Sequence, residues 1–139
     1  MPKIVTNTVY GGFSLSHEGV LAYAERKGLA LYPELDRFGL WTYWLVPPEQ
    51  RPEPQDNFQS WSLAKRAKSN AEHTAAQLYP RTIPRDDPAL VAVVEELGRE
   101  ADGDFACLAV VDAPDDVRWE IAEYDGREWV AEQHRTWGG

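Results

Sequence analysis

The densest chemistry in the chain lies between Asp112 and Trp137, where Asp115, Asp116, Glu120, Glu123, Asp125, Glu128 and Glu132 are interleaved with Trp119, Tyr124, Trp129 and Trp137. Carboxylates accept charge-assisted hydrogen bonds, and indole and phenol faces attract cations. A surface made of both can desolvate and hold a cationic or peptide group. The candidate partner-binding residues are therefore Trp119, Glu120, Tyr124, Asp125, Glu128, Trp129, Glu132, His134, Arg135 and Trp137. Glu120, Glu128, Glu132 and His134 are expected to rim one concavity, with Arg135 paired to one of the acids. Crowded like charges cost stability unless a cation, an arginine or a ligand offsets them. The competing explanation is structural, with Trp119 and Ile121 in a core and the acids on its solvated side. In a third reading, Asp115, Asp116, Glu120 and Glu132 surround a divalent cation in a small hydrolase or nuclease, although no DxDxDG pattern is present. A fourth takes the acids as a decoy that mimics nucleic acid.

Other signatures of catalysis are missing. Gly11-Gly12 stands where a phosphate loop would, but no Lys-Ser/Thr follows and no GxGxxG spacing exists, so a glycine turn is the simpler reading. His17, His73 and His134 are far apart in sequence and form no HExxH or other close pair. Cys107, the single cysteine, sits in an apolar run and is expected to be a buried, slowly reacting thiol. No catalytic residue, cofactor or metal ligand is assigned.

Charge narrows the partners. The formal charge is -9, and the acidic surplus lies in residues 95–132, which carry thirteen acids against three bases, whereas residues 1–94 balance ten against ten and residues 133–139 add only Arg135. Such a field repels phosphate backbones, so nucleic acid is not expected as the direct ligand and a basic protein or peptide is. No run approaches a membrane span, the N-terminus lacks an apolar signal region, and one Cys excludes an internal disulfide. These features lead to the expectation of a cytoplasmic protein without membrane association.

Positioning the acidic stretch requires a fold, and the pattern predicts α+β: a single domain over 1–139, mainly antiparallel sheet with two or three helices and a C-terminal β-hairpin. Ile4 to Tyr10 reads as a strand ended by Gly11-Gly12, followed by a helix from Ser16 to Lys27 with apolar Val20, Leu21, Tyr23 and Ala24. Leu29 to Tyr32 and Phe38 to Val46 read as strands around a turn at 33–37. Residues 47–57, with Pro47, Pro48, Pro52 and Pro54, form an exposed loop. A thinly apolar helix is expected over 61–77, and Leu78 to Pro84 could run along a sheet edge. Asp87-Pro88 opens the clearest helix, which Gly98 closes. Phe105 to Val111 has the length and composition of a buried strand. Asp125-Gly126 favours a type I′ turn between strands 117–124 and 127–137, which would set Tyr124 opposite Arg127, Ile121 opposite Val130 and Trp119 opposite Glu132, and a helix over Glu128 to Arg135 is the competing reading.

Residues 83–137 also carry a resemblance. The run Ile83-Pro84-Arg85-Asp86-Asp87-Pro88 through Leu97-Gly98, then Pro114-Asp115-Asp116-Val117, and finally Trp119-Glu120-Ile121-x-Glu123-Tyr124-Asp125-Gly126-x-Glu128-Trp129-Val130-Ala131-Glu132-x-His134-Arg135-Thr136-Trp137 resembles a family of small uncharacterised bacteriophage and prophage proteins. It is similar as well to the C-terminal part of the type V-A anti-CRISPR family that lowers Cas12a production by recognising a nascent peptide. The resemblance implies a phage-type accessory protein in an infected or lysogenic bacterial host. It would act by peptide capture, with a host or defence protein as partner.

Overall fold

A computed structural model describes residues 2–116 and 118–133. The fold is α+β: the described residues form three helices and six strands, paired antiparallel, and β-strands Trp119–Tyr124 and Arg127–Glu132 make a hairpin. The strands form three separate two-stranded sheets. The chain divides into two compact units, one comprising Met1–Lys27 with Pro80–Gly139 and the other Gly28–Tyr79.

In the first unit, β1 (Lys3–Asn7) pairs with β4 (Leu108–Asp112), Val5 standing opposite Val110. Bonds from Thr8 N–H to Cys107 O and from Ala113 N–H to Pro2 O extend this ladder at both ends. Helices α1 (His17–Lys27) and α3 (Pro88–Leu97) pack together, and α3 also lies against both strands. The core they build contains Ile4, Val5, Val20, Tyr23, Leu90, Val91, Val93 and Val94. Covered on both sides, β1 buries four successive residues, Ile4, Val5, Thr6 and Asn7. The helix ends follow their residues. Ser16 Oγ accepts the Gly19 N–H at 3.0 Å, and Asp87 Oδ1 accepts the Ala89 N–H at 2.8 Å ahead of Pro88. Leu21, expected on the apolar stripe, is 39% exposed, and Gly19 is buried instead.

Two expectations about the fourth strand change. Phe105 has φ +64° and is 84% exposed, so it belongs to the turn before the strand. Cys107 likewise precedes β4 and is only half-buried. Asp102 fixes this late start by accepting the Leu108 N–H at 2.9 Å.

In the second unit, β2 (Tyr32–Leu35) and β3 (Trp41–Trp44) form a hairpin, and α2 spans Leu63–Ala76. The turn falls later than expected because Asp36 accepts the N–H groups of both Phe38 and Leu40, which organises 36–40. The proline loop contains a 3-10 turn at Pro48–Gln50 and is pinned to α2. Gln55 donates to Ser69 and Asn70, and a ring nitrogen of His73 meets the Glu53 carbonyl at 3.0 Å. Leu78 donates to the Tyr43 carbonyl. Pro80–Thr82, which belongs to the first unit, is a 3-10 turn rather than a strand. No helix among the described residues is long and apolar enough to cross a membrane.

Candidate functional site

The acidic, aromatic stretch folds as β5 (Trp119–Tyr124) and β6 (Arg127–Glu132). The register is the expected one, with Trp119 opposite Glu132, Ile121 opposite Val130 and Tyr124 opposite Arg127. Asp125 and Gly126 take φ +50° and +88°, the two positive values that a type I′ turn requires. Alternation along the strands then puts Trp119, Ile121, Glu123, Glu128, Val130 and Glu132 on one face. The other face carries Glu120, Ala122, Tyr124, Arg127, Trp129 and Ala131.

The hairpin tip is fastened to the first strand. Asn7, fully buried, donates through Nδ2 to the carbonyls of Val9 (2.7 Å) and Gly126 (2.8 Å), while its Oδ1 accepts the Cys107 N–H at 2.9 Å. The Asn7 N–H points away from β4 and is taken by Glu128 Oε1 at 2.9 Å. Gly11 N–H reaches the Asp125 carbonyl at 3.3 Å. The approach is so close that a β-carbon on Gly126 would collide with the backbone nitrogens of Gly11 and Gly12. Gly126 is thus needed both for its positive φ and for its missing side chain.

Glu128 carries the largest share of this junction. Arg85 grips its carboxylate in two places, Nη1 to Oε1 and Nη2 to Oε2 at 2.9 Å, and both side chains are largely buried. The same guanidinium lies 3.7 Å from the centre of the Phe13 ring. Among the described residues Arg85 is the arginine that pairs with Glu128, which is thereby committed to holding the fold. Sequence reasoning named neither Arg85 nor Asn7 as partners of this acid. A buried-strand position holding Asn within Ile4-Val5-Thr6-Asn7 was the one available signal, because a polar side chain there must find partners.

Two concavities flank the junction. The first, about 490 Å³, lies between one face of the β1–β4 sheet, where Thr6, Thr8 and Val111 stand, and the hairpin, which supplies Trp119, Glu128, Trp129, Val130, Ala131 and Glu132. Asp112, the last residue of β4, and Ala113 and Pro114 after it continue its wall. Its volume is in the range of ordinary ligand pockets, about 300–1,000 Å³. The second, about 510 Å³, is bordered by Gly11, Gly12, Phe13, Arg81, Glu123 and Asp125, together with the Arg85–Glu128 pair.

The candidate residues therefore part company. Trp119, Glu128, Trp129 and Glu132 come together in the first concavity, and Glu120 and Tyr124 line neither. Tyr124, 70% exposed, meets the Tyr10 ring edge-on with centres 6.5 Å apart. Asp125 belongs to the turn and borders the second concavity. His134, Arg135 and Trp137 lie outside the described residues. Among the described residues no group of three or more His, Cys, Asp or Glu is placed to hold a metal ion.

Away from the hairpin, Asp87 joins α3 to α1. Burial alone would raise its carboxyl, but hydrogen bonds from Tyr23 Oη (2.9 Å), Lys27 and the Ala89 N–H, with the Lys27 charge, hold it below the usual carboxylate value. Burial and the neighbouring carboxylate push Tyr23 up to about 12. This triad ties two helices together and faces neither concavity.

Comparison with known proteins adds no relative: no family model matches the chain, and neither a curated protein nor a solved structure is significantly similar to it.

Proposed function

We propose that this chain is a phage-type accessory protein that captures an extended, basic peptide segment of a host or defence protein. The observation that carries the reading is the cleft between the β1–β4 sheet and β6. It combines Trp119 and the apolar Val111 and Val130 with carboxylates at Asp112 and Glu132, and Trp129 and Ala131, which belong to the opposite face of the hairpin, border it. Apolar walls with a few polar groups bind by desolvation and set orientation by charge. The net negative charge of residues 95–132 steers a basic partner toward this side of the chain. Counter-defence through a nascent peptide is the narrower form of the reading, and its support is the resemblance carried by residues 83–137.

The reading is tested by fluorescence anisotropy with labelled ten-residue peptides, one series rich in Lys and Arg and one in Asp and Glu. Basic peptides should bind and acidic ones should not, with affinity falling as salt is raised. Trp119→Ala and Glu132→Lys should each weaken binding about tenfold or more while the chain still melts cooperatively. Equal binding of both series, or unchanged affinity in both variants, refutes capture in the cleft.

A further inference from the structure

The two long edges of the β1–β4 sheet are treated differently by the fold. At the ends of this ladder single bonds run from Thr8 N–H to Cys107 O and from Ala113 N–H to Pro2 O, so by alternation Thr6 bonds with Ala109 and Ile4 with Val111. The N–H and C=O groups of Lys3, Val5 and Asn7 on β1, and of Leu108, Val110 and Asp112 on β4, must then point outward. On the β1 side two of the three donors are closed, all but that of Lys3 at the start of the strand. Val5 N–H is bound by the Arg85 carbonyl at 2.8 Å, and Asn7 N–H by the Glu128 carboxylate at 2.9 Å. On the β4 side only Leu108 N–H is closed, by Asp102. Among the described residues, the N–H groups of Val110 and Asp112 have no partner.

From this asymmetry we infer that the outer edge of β4 is the docking rail for the peptide, which adds as a third strand through backbone bonds at Val110 and Asp112. The inference rests on the peptide-capture reading and specifies how the peptide is held. Outward donors and acceptors that recur every second residue are complementary to an extended backbone and to little else. The end of this edge borders the cleft, whose wall includes Val111 to Pro114, so side chains of an added strand that share the face of Val111 lie on the cleft's side of the sheet. Charge chooses among strands. Asp112 lies on the edge, Asp115 and Asp116 follow it, and Glu132 lines the cleft, so a segment bearing Lys or Arg is favoured. A second copy of this chain would bring the same acids against themselves at a net charge of -9. The backbone supplies affinity without regard to sequence, and the charge and the apolar cleft wall supply preference.

The test uses the full chain with a nine-residue peptide of alternating Lys and Val as the probe, and a peptide of alternating Lys and Pro as the control with equal charge but few backbone donors. Amide exchange followed by NMR should show the Val110 and Asp112 N–H groups exchanging quickly in the free protein and protected by the Lys–Val peptide alone. Val110→Pro removes one outward donor while leaving every bond to β1 in place, and should weaken the peptide about tenfold at unchanged secondary structure. The exchange measurement on the unaltered chain stands even if that variant folds poorly. Protection confined to indole and cleft resonances, with the two edge amides still exchanging, overturns the rail and leaves capture in the cleft intact. Failure of the peptide to perturb either edge or cleft overturns both. A dimer in which these amides are already protected without peptide also overturns the rail, because a second β4 would then be the occupant.

Discussion

Arg85 and Glu128 meet side by side, two guanidinium nitrogens on two carboxylate oxygens, although 43 residues separate them in the chain. The pair fills the place that another strand would take beside β1: the Arg85 carbonyl closes the Val5 N–H and the Glu128 carboxylate closes the Asn7 N–H. One acid of the C-terminal cluster thereby ends an edge, anchors the hairpin and neutralises a buried cation.

The pair should be expensive to break from either side. Arg85→Met leaves a buried carboxylate without its cation, and Glu128→Lys sets two cations together and strips the Asn7 N–H of its acceptor. Each should lower stability by about 3–5 kcal/mol in urea unfolding. The double variant Arg85→Met with Glu128→Gln should lose clearly less than the sum of its single changes, because no unpaired charge is left inside. Additive losses would show that the two side chains do not act as a unit.

Two glycines separate a steric demand from a conformational one. Gly12 has φ +91° with open space where a β-carbon would stand, so Gly12→Ala should cost about 1–2 kcal/mol of backbone strain. Gly126 has a similar φ of +88°, but its β-carbon would strike Gly12 N and lie 2.7 Å from Gly11 N. Gly126→Ala must therefore cost more, and it should release the hairpin tip, read as faster amide exchange at Gly11. Equal melting temperatures for the two variants would argue against the close contact.

The Tyr23–Asp87–Lys27 group predicts how stability varies at both ends of the pH scale. Asp87 is held below its ordinary value in the fold, so its contribution is complete above about pH 4 and is lost as pH falls through the lowered folded value. Tyr23 is pushed up to about 12, so its contribution is complete below about pH 10 and is lost as pH rises through about 12. Asp87→Asn keeps a side chain that caps helices equally well while deleting the charge. Its melting temperature should fall less steeply on acidification than that of the unaltered chain, and parallel curves would remove Asp87 from the acid limb.

Local chemistry was legible in the sequence where it acts over a few residues. Asp87-Pro88 opened α3, Ser16 capped α1, and Asp125-Gly126 set the hairpin register. Expectations moved where a distant or side-chain contact overrides apolar pattern. Phe105 reads as strand by composition but turns outward, Cys107 stops short of β4, and Asp36 shifts the β2–β3 turn by capturing two amides. At the site, composition identified the region, and the alternation correctly set Trp119 against Glu132. What it could not supply was which acid is spoken for, since nothing in the spacing connects residue 128 to Asn7 or Arg85. A charged side chain's role is fixed by what the tertiary fold brings beside it.

Asn7 offers the sharpest single-residue test of how the hairpin is joined to the core. Its amide gives two hydrogen bonds, to Val9 O and Gly126 O, and its oxygen takes a third from Cys107 N–H, all with the side chain fully buried. Asn7→Asp is nearly the same shape, yet a carboxylate has no donors, so two carbonyls would face negative oxygen and a new charge would stand near Glu128. Asn7→Ala removes the charge problem but leaves the same two carbonyls and the Cys107 N–H unpartnered. Both should destabilise the chain, Asn7→Ala by about 1–3 kcal/mol for the orphaned groups and Asn7→Asp by more at neutral pH. Part of the Asp penalty should vanish below about pH 4, where protonation restores one donor. The hairpin amides should exchange faster than those of α3 in both variants, since the lost bonds lie between β1 and the turn. If Asn7→Asp were as stable as the unaltered chain at neutral pH, or if α3 loosened before the hairpin, Asn7 would not be the link that holds the acidic ribbon in place.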